Sequence, residues 1–201
     1  MSLLNFLLPT QIITALLALI FYNKYRSKFM FWLCVLLFVI VGVESLGLIF
    51  LKNKISSKQL YNIYTFFEFN IISLMYFYVV DEERSKKFFK ILTYIFNAVY
   101  FFSFFYVDLQ YYTVTLSSVL ISVFLIIYFG ELLNSNKILN YKKQLSFWVA
   151  VGFFIFYLGS IPFSIAVRFM PTRDLFFIQI TLIFVMNFNI IYGLIWSKKE
   201  T

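Results

Sequence analysis

The sequence predicts an all-α integral membrane protein, a single bundle of seven transmembrane helices with the N-terminus outside and the C-terminus in the cytoplasm. Its 201 residues are 62% hydrophobic and only 13% charged, whereas about 25% of the residues in soluble globular chains are charged. The charges are clustered, and they leave apolar runs of about 20 residues, the length that crosses ~30 Å of hydrocarbon. The runs cover residues 3–22, 29–51, 61–80, 88–106, 113–133, 147–168 and 175–196. We therefore expect one transmembrane domain over residues 1–201 and no extramembrane domain.

Lysine and arginine are distributed unequally between the two sets of helix ends. One set holds twelve of the 17 basic residues and the other holds five. The positive-inside rule assigns the richer set to the cytoplasm. The richer set is Lys24, Arg26, Lys28, Arg84, Lys86, Lys87, Lys90, Lys137, Lys142, Lys143, Lys198 and Lys199. The poorer set is Lys52, Lys54, Lys58, Arg168 and Arg173.

The first two runs differ in polarity. No basic residue precedes the first run, so we expect a retained anchor instead of a cleaved signal peptide. The second run contains Glu44, which is flanked by Gly42, Ser45 and Gly47. Small residues at such a position let another helix approach closely. Cys34 is the single cysteine and lies in the same run, so no intrachain disulfide can form.

The third run is polar on more than one face. Tyr61, Tyr64 and Glu68 follow the i, i+3, i+7 spacing of one helical stripe, whereas Asn70 lies on another face. We therefore expect the third helix to be central in the bundle. Acidic and basic residues within 81–87 stand four apart, so we also expect this helix to continue into the cytoplasm.

The remaining runs carry isolated polar residues. Only residues 107–112 separate the fourth and fifth runs, so a re-entrant pair is the alternative to two spans there. Asn97, Ser160 and Gln179 lie near the middle or in the outer half of their runs, whereas the cytoplasmic half is almost purely apolar. This asymmetry predicts a polar cavity that is open to the outside and closed to the inside.

Glu44 and Glu68 are carboxylates expected inside the hydrocarbon. Each lies seven residues from the outer end of its predicted helix, which places both about 10 Å deep. No basic residue lies at that depth, and an ionisable group there costs several kcal/mol unless it is neutralised. We therefore expect the two carboxyls within one hydrogen bond or one bridging water of each other, with a proton, neighbouring hydroxyls or an external cation compensating them. The predicted ligand-binding residues are Glu44, Glu68, Tyr61, Tyr64, Ser160, Gln179 and Asn97.

The composition excludes several kinds of chemistry. Without any histidine, no histidine base and no histidine-ligated zinc or haem can form. The aspartates all fall in connecting segments, so no intramembrane aspartate pair is available for proteolysis. We expect no metal and no other cofactor. The net charge of +8 resides at helix ends, so the expected partners are anionic lipids at the cytoplasmic face and not nucleic acid.

Residues 61–69, with Glu44 in the preceding run, resemble a pattern in small seven-span bacterial membrane proteins of unknown function. The likeness extends to Phe147, Trp148, Gly152, Asn187 and Asn189. The resemblance implies a bacterial cytoplasmic membrane and no established activity. The topology also resembles that of seven-helix receptors and microbial rhodopsins, but residues 175–196 contain no lysine for a retinal Schiff base.

Four functional classes are compatible with this pattern. A binding or sensing module would admit a small amphipathic or cationic ligand to the outer cavity and signal through its cytoplasmic loops. An assembly subunit, including a defence-system membrane effector, would bind a protein partner or a second copy of the chain. A transport or channel subunit would move protons or cations, but its inner half would have to rearrange. A lipid-modifying enzyme would use the glutamates as acid and base, but no activated nucleophile or metal set is present, so we expect a binding protein and not an enzyme.

Overall fold

The computed structural model describes residues 4–166 and 176–198, and within these ranges the fold is helical throughout. Seven α-helices occur, with a 3-10 helix at Asn136–Lys143 between the fifth and the sixth. The α-helices are α1 (Leu4–Tyr25), α2 (Lys28–Lys52), α3 (Lys58–Phe77), α4 (Glu83–Phe102), α5 (Val107–Asn134), α6 (Leu145–Ala166) and α7 (Phe176–Trp196).

Five of the described helices, α1, α2, α5, α6 and α7, are long and apolar enough to cross a membrane. α3 and α4 have 20 residues each, which gives a length of ~30 Å, but they are less apolar. α3 carries polar residues on several faces, and the first two turns of α4 contain most of the charges of that helix. The all-helical fold with five such helices has the character of an integral membrane protein.

The predicted runs and the observed helices differ at their ends. The prediction that residues 81–87 prolong the third helix is wrong, because α3 ends at Phe77 and α4 begins at Glu83. Lys86 pairs with Glu83 at 3.0 Å inside the first turn of α4. α5 begins at Val107, so the turn after α4 lies before the predicted segment 107–112. Hydropathy marks where the apolar part of a helix ends, but charged residues can continue the helix beyond that point. The spacing of the charged residues does not reveal whether they belong to the preceding or the following helix.

Six helices form a ring in the order α1, α2, α3, α5, α6, α7, and α7 packs back on α1. α4 lies outside this ring against α3 and α5. α3 therefore packs against α2, α4 and α5 as a member of the ring, and so it is not at the centre of the bundle. The close approach of α6 to α7 depends on Gly152, because a Cβ there would lie 3.0 Å from the carbonyl oxygen of Met186.

Contacts at both ends show that α3 runs antiparallel to α2 over most of its length. At one end, the Lys28 Nζ lies 4.6 Å from the centre of the Tyr78 ring, which follows α3. At the other end, the Tyr61 hydroxyl lies 3.4 Å from a carboxylate oxygen of Glu44.

α4 is held at both ends by hydrogen bonds to neighbouring helices. Before its first turn, the backbone N–H groups of Asp81 and Glu82 donate to the Glu131 carboxylate of α5. Near its last turn, the Tyr100 hydroxyl donates to the carbonyl oxygen of Asn62 at 3.2 Å. α4 therefore extends along α3 and α5 from one end of the bundle to the other.

An aromatic core joins α3, α4 and α5. The rings of Phe69 and Phe96 stack with their centroids 3.8 Å apart, and Phe124 contacts Phe69 and Phe89 at 5.5 and 4.7 Å. All four side chains are buried. Such aromatic pairs contribute about 0.5–1.5 kcal/mol each beyond the burial of their area, so they hold α4 against the ring.

Lysines gather at one end of the bundle, which we call the basic end and define by Lys24, Lys28, Lys143 and Lys198. The Lys24 ammonium donates to the carbonyl oxygen of Ile195 at 3.3 Å, and the Lys198 backbone N–H donates to that of Lys143 at 2.8 Å. The basic end therefore combines the ends of α1 and α7 with the 3-10 helix. Three of the lysines and arginines that were counted at the helix ends lie outside the described residues, namely Arg168, Arg173 and Lys199.

Candidate functional site

Two tyrosine hydroxyls hold the carboxylate of Glu68. Tyr64, one turn earlier on α3, donates to Oε1 at 2.6 Å. Tyr157 of α6 donates to the same oxygen at 2.7 Å. Bonds of this length to a carboxylate belong to the stronger class of hydrogen bonds. The Glu68 side chain therefore links α3 to α6 inside the helical ring.

The second carboxylate oxygen of Glu68, Oε2, accepts no hydrogen bond from the described part of the chain. The Glu68 side chain is half-buried, and Oε2 does not belong to the fully buried atoms that lack a partner. A carboxylate offers about four lone-pair positions, of which the two tyrosines occupy only two. Oε2 is therefore accessible to a cation or a hydrogen-bond donor.

Glu44 contacts the same stripe of α3 one turn closer to the helix start. The Tyr61 hydroxyl lies 3.4 Å from Oε2 of Glu44, which is a long hydrogen bond. Gly47 provides the space for this hydroxyl, because a Cβ at Gly47 would lie 2.6 Å from it. Since Tyr61 and Tyr64 are three residues apart on α3, the two glutamates bond to neighbouring tyrosines of one helix face.

The predicted contact between the two carboxyls, direct or through one bridging water, stays a prediction. No hydrogen bond joins Glu44 to Glu68 among the residues that the structure describes. Glu44 precedes the end of α2 by eight residues and Glu68 follows the start of α3 by ten, which places them ~12 and ~15 Å from those ends. Each carboxyl bonds to a tyrosine, and a shared proton between the two carboxyls stays a hypothesis.

The other predicted residues lie at different distances from this site. Ser160 is one turn beyond Tyr157 on α6 and donates to the carbonyl oxygen of that tyrosine at 2.8 Å. Asn97 exchanges two amide hydrogen bonds with Asn70, at 3.0 and 3.1 Å, and thereby joins α4 to a different face of α3. Gln179 of α7 is half-buried and makes no hydrogen bond within the described ranges.

Tyr157 is the site residue that sequence reasoning missed. It is only 3% exposed and is the last residue of an aromatic stretch, 153–157, whose composition predicts an apolar helix surface. The available signal was its position one turn before Ser160, which puts two hydroxyl groups on one face of α6.

A cavity of about 790 Å³ lies between α4 and α5 at the basic end. It includes Glu131 and Arg84 but neither Glu44 nor Glu68. The polar cavity expected around the glutamates therefore stays a prediction.

The glutamate site offers a half-buried carboxyl group that two tyrosine hydroxyls hold in place. In the described residues, no group of three or more His, Cys, Asp or Glu side chains is placed to hold a metal ion. The chain matches no protein-family model, no curated protein and no solved structure. Its function must therefore be argued from the site itself.

Proposed function

We propose that the protein is a membrane-embedded binding module whose ligand is a small amphipathic cation. The site consists of the Glu68 carboxylate, its two tyrosine donors and the neighbouring Glu44. The proposal rests chiefly on one observation, that Tyr64 and Tyr157 both donate to Oε1 of Glu68 and leave Oε2 without a partner in the described part of the chain. This arrangement fixes the carboxylate in position while one oxygen stays accessible.

The charge balance at this site favours a cation. A carboxylate in the hydrocarbon region costs several kcal/mol, and hydroxyl donors compensate only part of that. Neither Glu44 nor Glu68 forms an ion pair within the described residues. The compensating charge therefore comes from a proton or from a cation outside the chain. An ammonium group attached to an apolar body would donate to Oε2 and place its apolar part against the surrounding helices.

We propose further that all seven helices cross the membrane, with the N-terminus outside and the basic end in the cytoplasm. Support for α3 and α4 as spans comes from their contacts at both ends of the bundle, since each runs beside an apolar helix that is itself long enough to cross. The basic end would then meet anionic lipids of a bacterial cytoplasmic membrane. A protein partner or a second copy of the chain would bind there to receive the signal.

Signalling would use the link between α3 and α6. Tyr157 and Glu68 lie 89 residues apart in sequence, and their hydrogen bond is a direct connection between these two helices. A cation that binds Oε2 would withdraw charge from the carboxylate and weaken the two tyrosine bonds. Ligand binding would thereby bias the position of α6 relative to α3.

Thermal unfolding in detergent micelles tests the proposal, with primary alkylammonium ions of increasing chain length as probes. Ligands that bind only the folded state raise the unfolding temperature according to their concentration and affinity. We expect the ammonium ions to bind about tenfold more tightly than uncharged alcohols of equal length, because a charge-assisted hydrogen bond contributes about 1.5–3 kcal/mol.

The glutamine variants complete this experiment. Glu68→Gln retains shape and hydrogen bonding but removes the charge, so it should abolish the preference for ammonium over alcohol. Glu44→Gln should reduce it. Glu83→Gln is the matched control, because Glu83 is exposed on the first turn of α4. Equal stabilisation by alcohol and ammonium in the unmodified protein would refute a cation site.

A further inference from the structure

Glu44 and Glu68 are two separate anionic positions along one face of α3. The Tyr61 hydroxyl lies 3.4 Å from Oε2 of Glu44, and the Tyr64 hydroxyl donates to Oε1 of Glu68 at 2.6 Å. Because the two tyrosines are three residues apart on one helix, their Cβ atoms lie about 5–6 Å apart. No hydrogen bond joins the two carboxyls within the described ranges. The carboxyls therefore follow one another along the helix face.

Each glutamate keeps one oxygen that accepts no hydrogen bond from the described part of the chain. These atoms are Oε1 of Glu44 and Oε2 of Glu68. Both side chains are half-buried, and neither oxygen belongs to the fully buried atoms that lack a partner. A donor from outside the chain can therefore reach both carboxyls.

The two glutamates place charge of the same sign at close range. Glu44 acts electrostatically on Glu68 and also on Tyr64, and neither glutamate forms an ion pair among the described residues. Like charges repel more strongly where the dielectric constant is low. A ligand with one positive charge compensates only one of the two carboxylates, whereas a ligand with two positive charges compensates both.

We propose that the ligand of this site is a linear dication with a primary ammonium group at each end, of the α,ω-diaminoalkane class. One ammonium donates to Oε2 of Glu68, and the other donates to Oε1 of Glu44. The methylene chain between them lies along the face of α3 that carries Tyr61 and Tyr64. This inference rests on the proposed cation site and names its substrate class.

The spacing of the two carboxyls sets the length of the ligand. Each carboxyl bonds to its own tyrosine, and the tyrosines are separated by about 5–6 Å at Cβ. An extended chain advances about 1.2 Å per bond, since three backbone bonds span about 3.5 Å. 1,4-Diaminobutane therefore separates its nitrogen atoms by about 6 Å, whereas 1,2-diaminoethane separates them by only about 3.5 Å. Much longer diamines exceed the spacing and have to fold.

Isothermal titration calorimetry of the full chain in detergent measures this selectivity. The probes are diamines from 1,2-diaminoethane to 1,10-diaminodecane, each compared with the primary monoamine of the same length. 1,4-Diaminobutane should bind about tenfold more tightly than 1-aminobutane, because it adds a second charge-assisted hydrogen bond. The ratio of diamine to monoamine affinity should be greatest near 1,4-diaminobutane and should decline for shorter and for longer chains.

Two glutamine variants assign the ammonium groups to the two carboxyls. Glu44→Gln and Glu68→Gln each leave a single carboxylate, so in each variant the diamine should lose its advantage over the monoamine. Glu83→Gln is the matched control, because Glu83 is exposed on the first turn of α4. This control should leave the advantage of the diamine unchanged.

Several results would overturn the dication. Equal affinities of 1,4-diaminobutane and 1-aminobutane in the unmodified protein would do so, while the cation site itself would stand if ammonium ions still bind more tightly than alcohols. An advantage that rises steadily with chain length would reflect burial of methylene groups instead of paired carboxyls. Tighter binding of calcium than of any diamine would identify a metal site.

The failure of this inference and the failure of the proposed function are therefore separate results. Equal binding of alcohols and ammonium ions removes the cation site and the dication together, whereas loss of the diamine advantage alone removes only the dication. If a glutamine variant does not fold, the length series in the unmodified protein still decides between these outcomes.

Discussion

Replacing Tyr157 by phenylalanine removes one hydroxyl from the glutamate site and leaves the ring in place. The ring packs edge to face with Phe153 and Phe156 at centroid distances of 6.0 and 5.0 Å, and phenylalanine keeps both contacts. The free energy of unfolding should therefore change only through the lost 2.7 Å hydrogen bond to Glu68. Any larger structural cost is not expected, because no cavity beyond one oxygen atom is created.

The magnitude of this change depends on the charge of Glu68. Hydrogen bonds between neutral side chains of membrane helices contribute about 0.6 kcal/mol on average and up to ~1.7 kcal/mol, whereas bonds to charged groups contribute about 1.5–3 kcal/mol. Because the proposed cation site requires an ionised Glu68, on whose Oε1 the two hydroxyls converge, the charged case applies to this prediction. Tyr157→Phe should lower the free energy of unfolding by about 2 kcal/mol in the unmodified protein and by about 0.6 kcal/mol in the Glu68→Gln background.

Chemical unfolding in mixed micelles, followed by circular dichroism, measures these differences as a double-mutant cycle. Tyr94→Phe provides the control, since Tyr94 is 72% exposed and loss of its hydroxyl should change stability by less than about 0.5 kcal/mol. If Tyr157→Phe lowers the free energy of unfolding equally in the unmodified protein and in the Glu68→Gln background, a charge-assisted bond between α3 and α6 is refuted.

The glycines and the topology supply further predictions. Gly152→Ala pushes α6 against the α7 backbone and should lower the free energy of unfolding by about 1–3 kcal/mol. Gly42→Ala enters open space and should raise the free energy of unfolding by up to about 1 kcal/mol through helix propensity. Equal unfolding free energies of the two variants would contradict the packing. Gly47→Ala meets the movable end of Tyr61, so we expect a loss below about 1 kcal/mol that disappears when Tyr61 is also changed to phenylalanine. Cysteines in the α2–α3 connection should react with impermeant reagents from outside the cell, whereas those in the α3–α4 connection should react only after permeabilisation, and labelling of both from one side would rule out seven crossings.

The sequence determined the helical class and the order of the helices, because both follow from local composition. Apolar runs of about 20 residues separated by charge clusters predict membrane helices, and each predicted run corresponds to one observed helix, five of which are long and apolar enough to cross a membrane. The bond between Tyr64 and Glu68 was also foreseeable, since four residues on a helix bring two side chains together. The start of α4 at Glu83 was not, because charged residues continue a helix without any change in the hydropathy pattern that marks the apolar layer.

Only the tertiary structure decided which residues from different helices meet. Tyr157 approaches Glu68 because α3 and α6 both pack against α5, an arrangement that no sequence spacing encodes. The same is true of Asn97, which the polar pattern grouped with the glutamates but which bonds to Asn70 on another face of α3. In a bundle whose helices are nearly all apolar, hydropathy is too uniform to specify neighbours. Packing depends on shape instead. Small residues such as Gly152 let ring helices approach closely, and large aromatic residues such as Phe69 and Phe96 hold α4 against the ring, but shape complementarity acts only once the helices are packed.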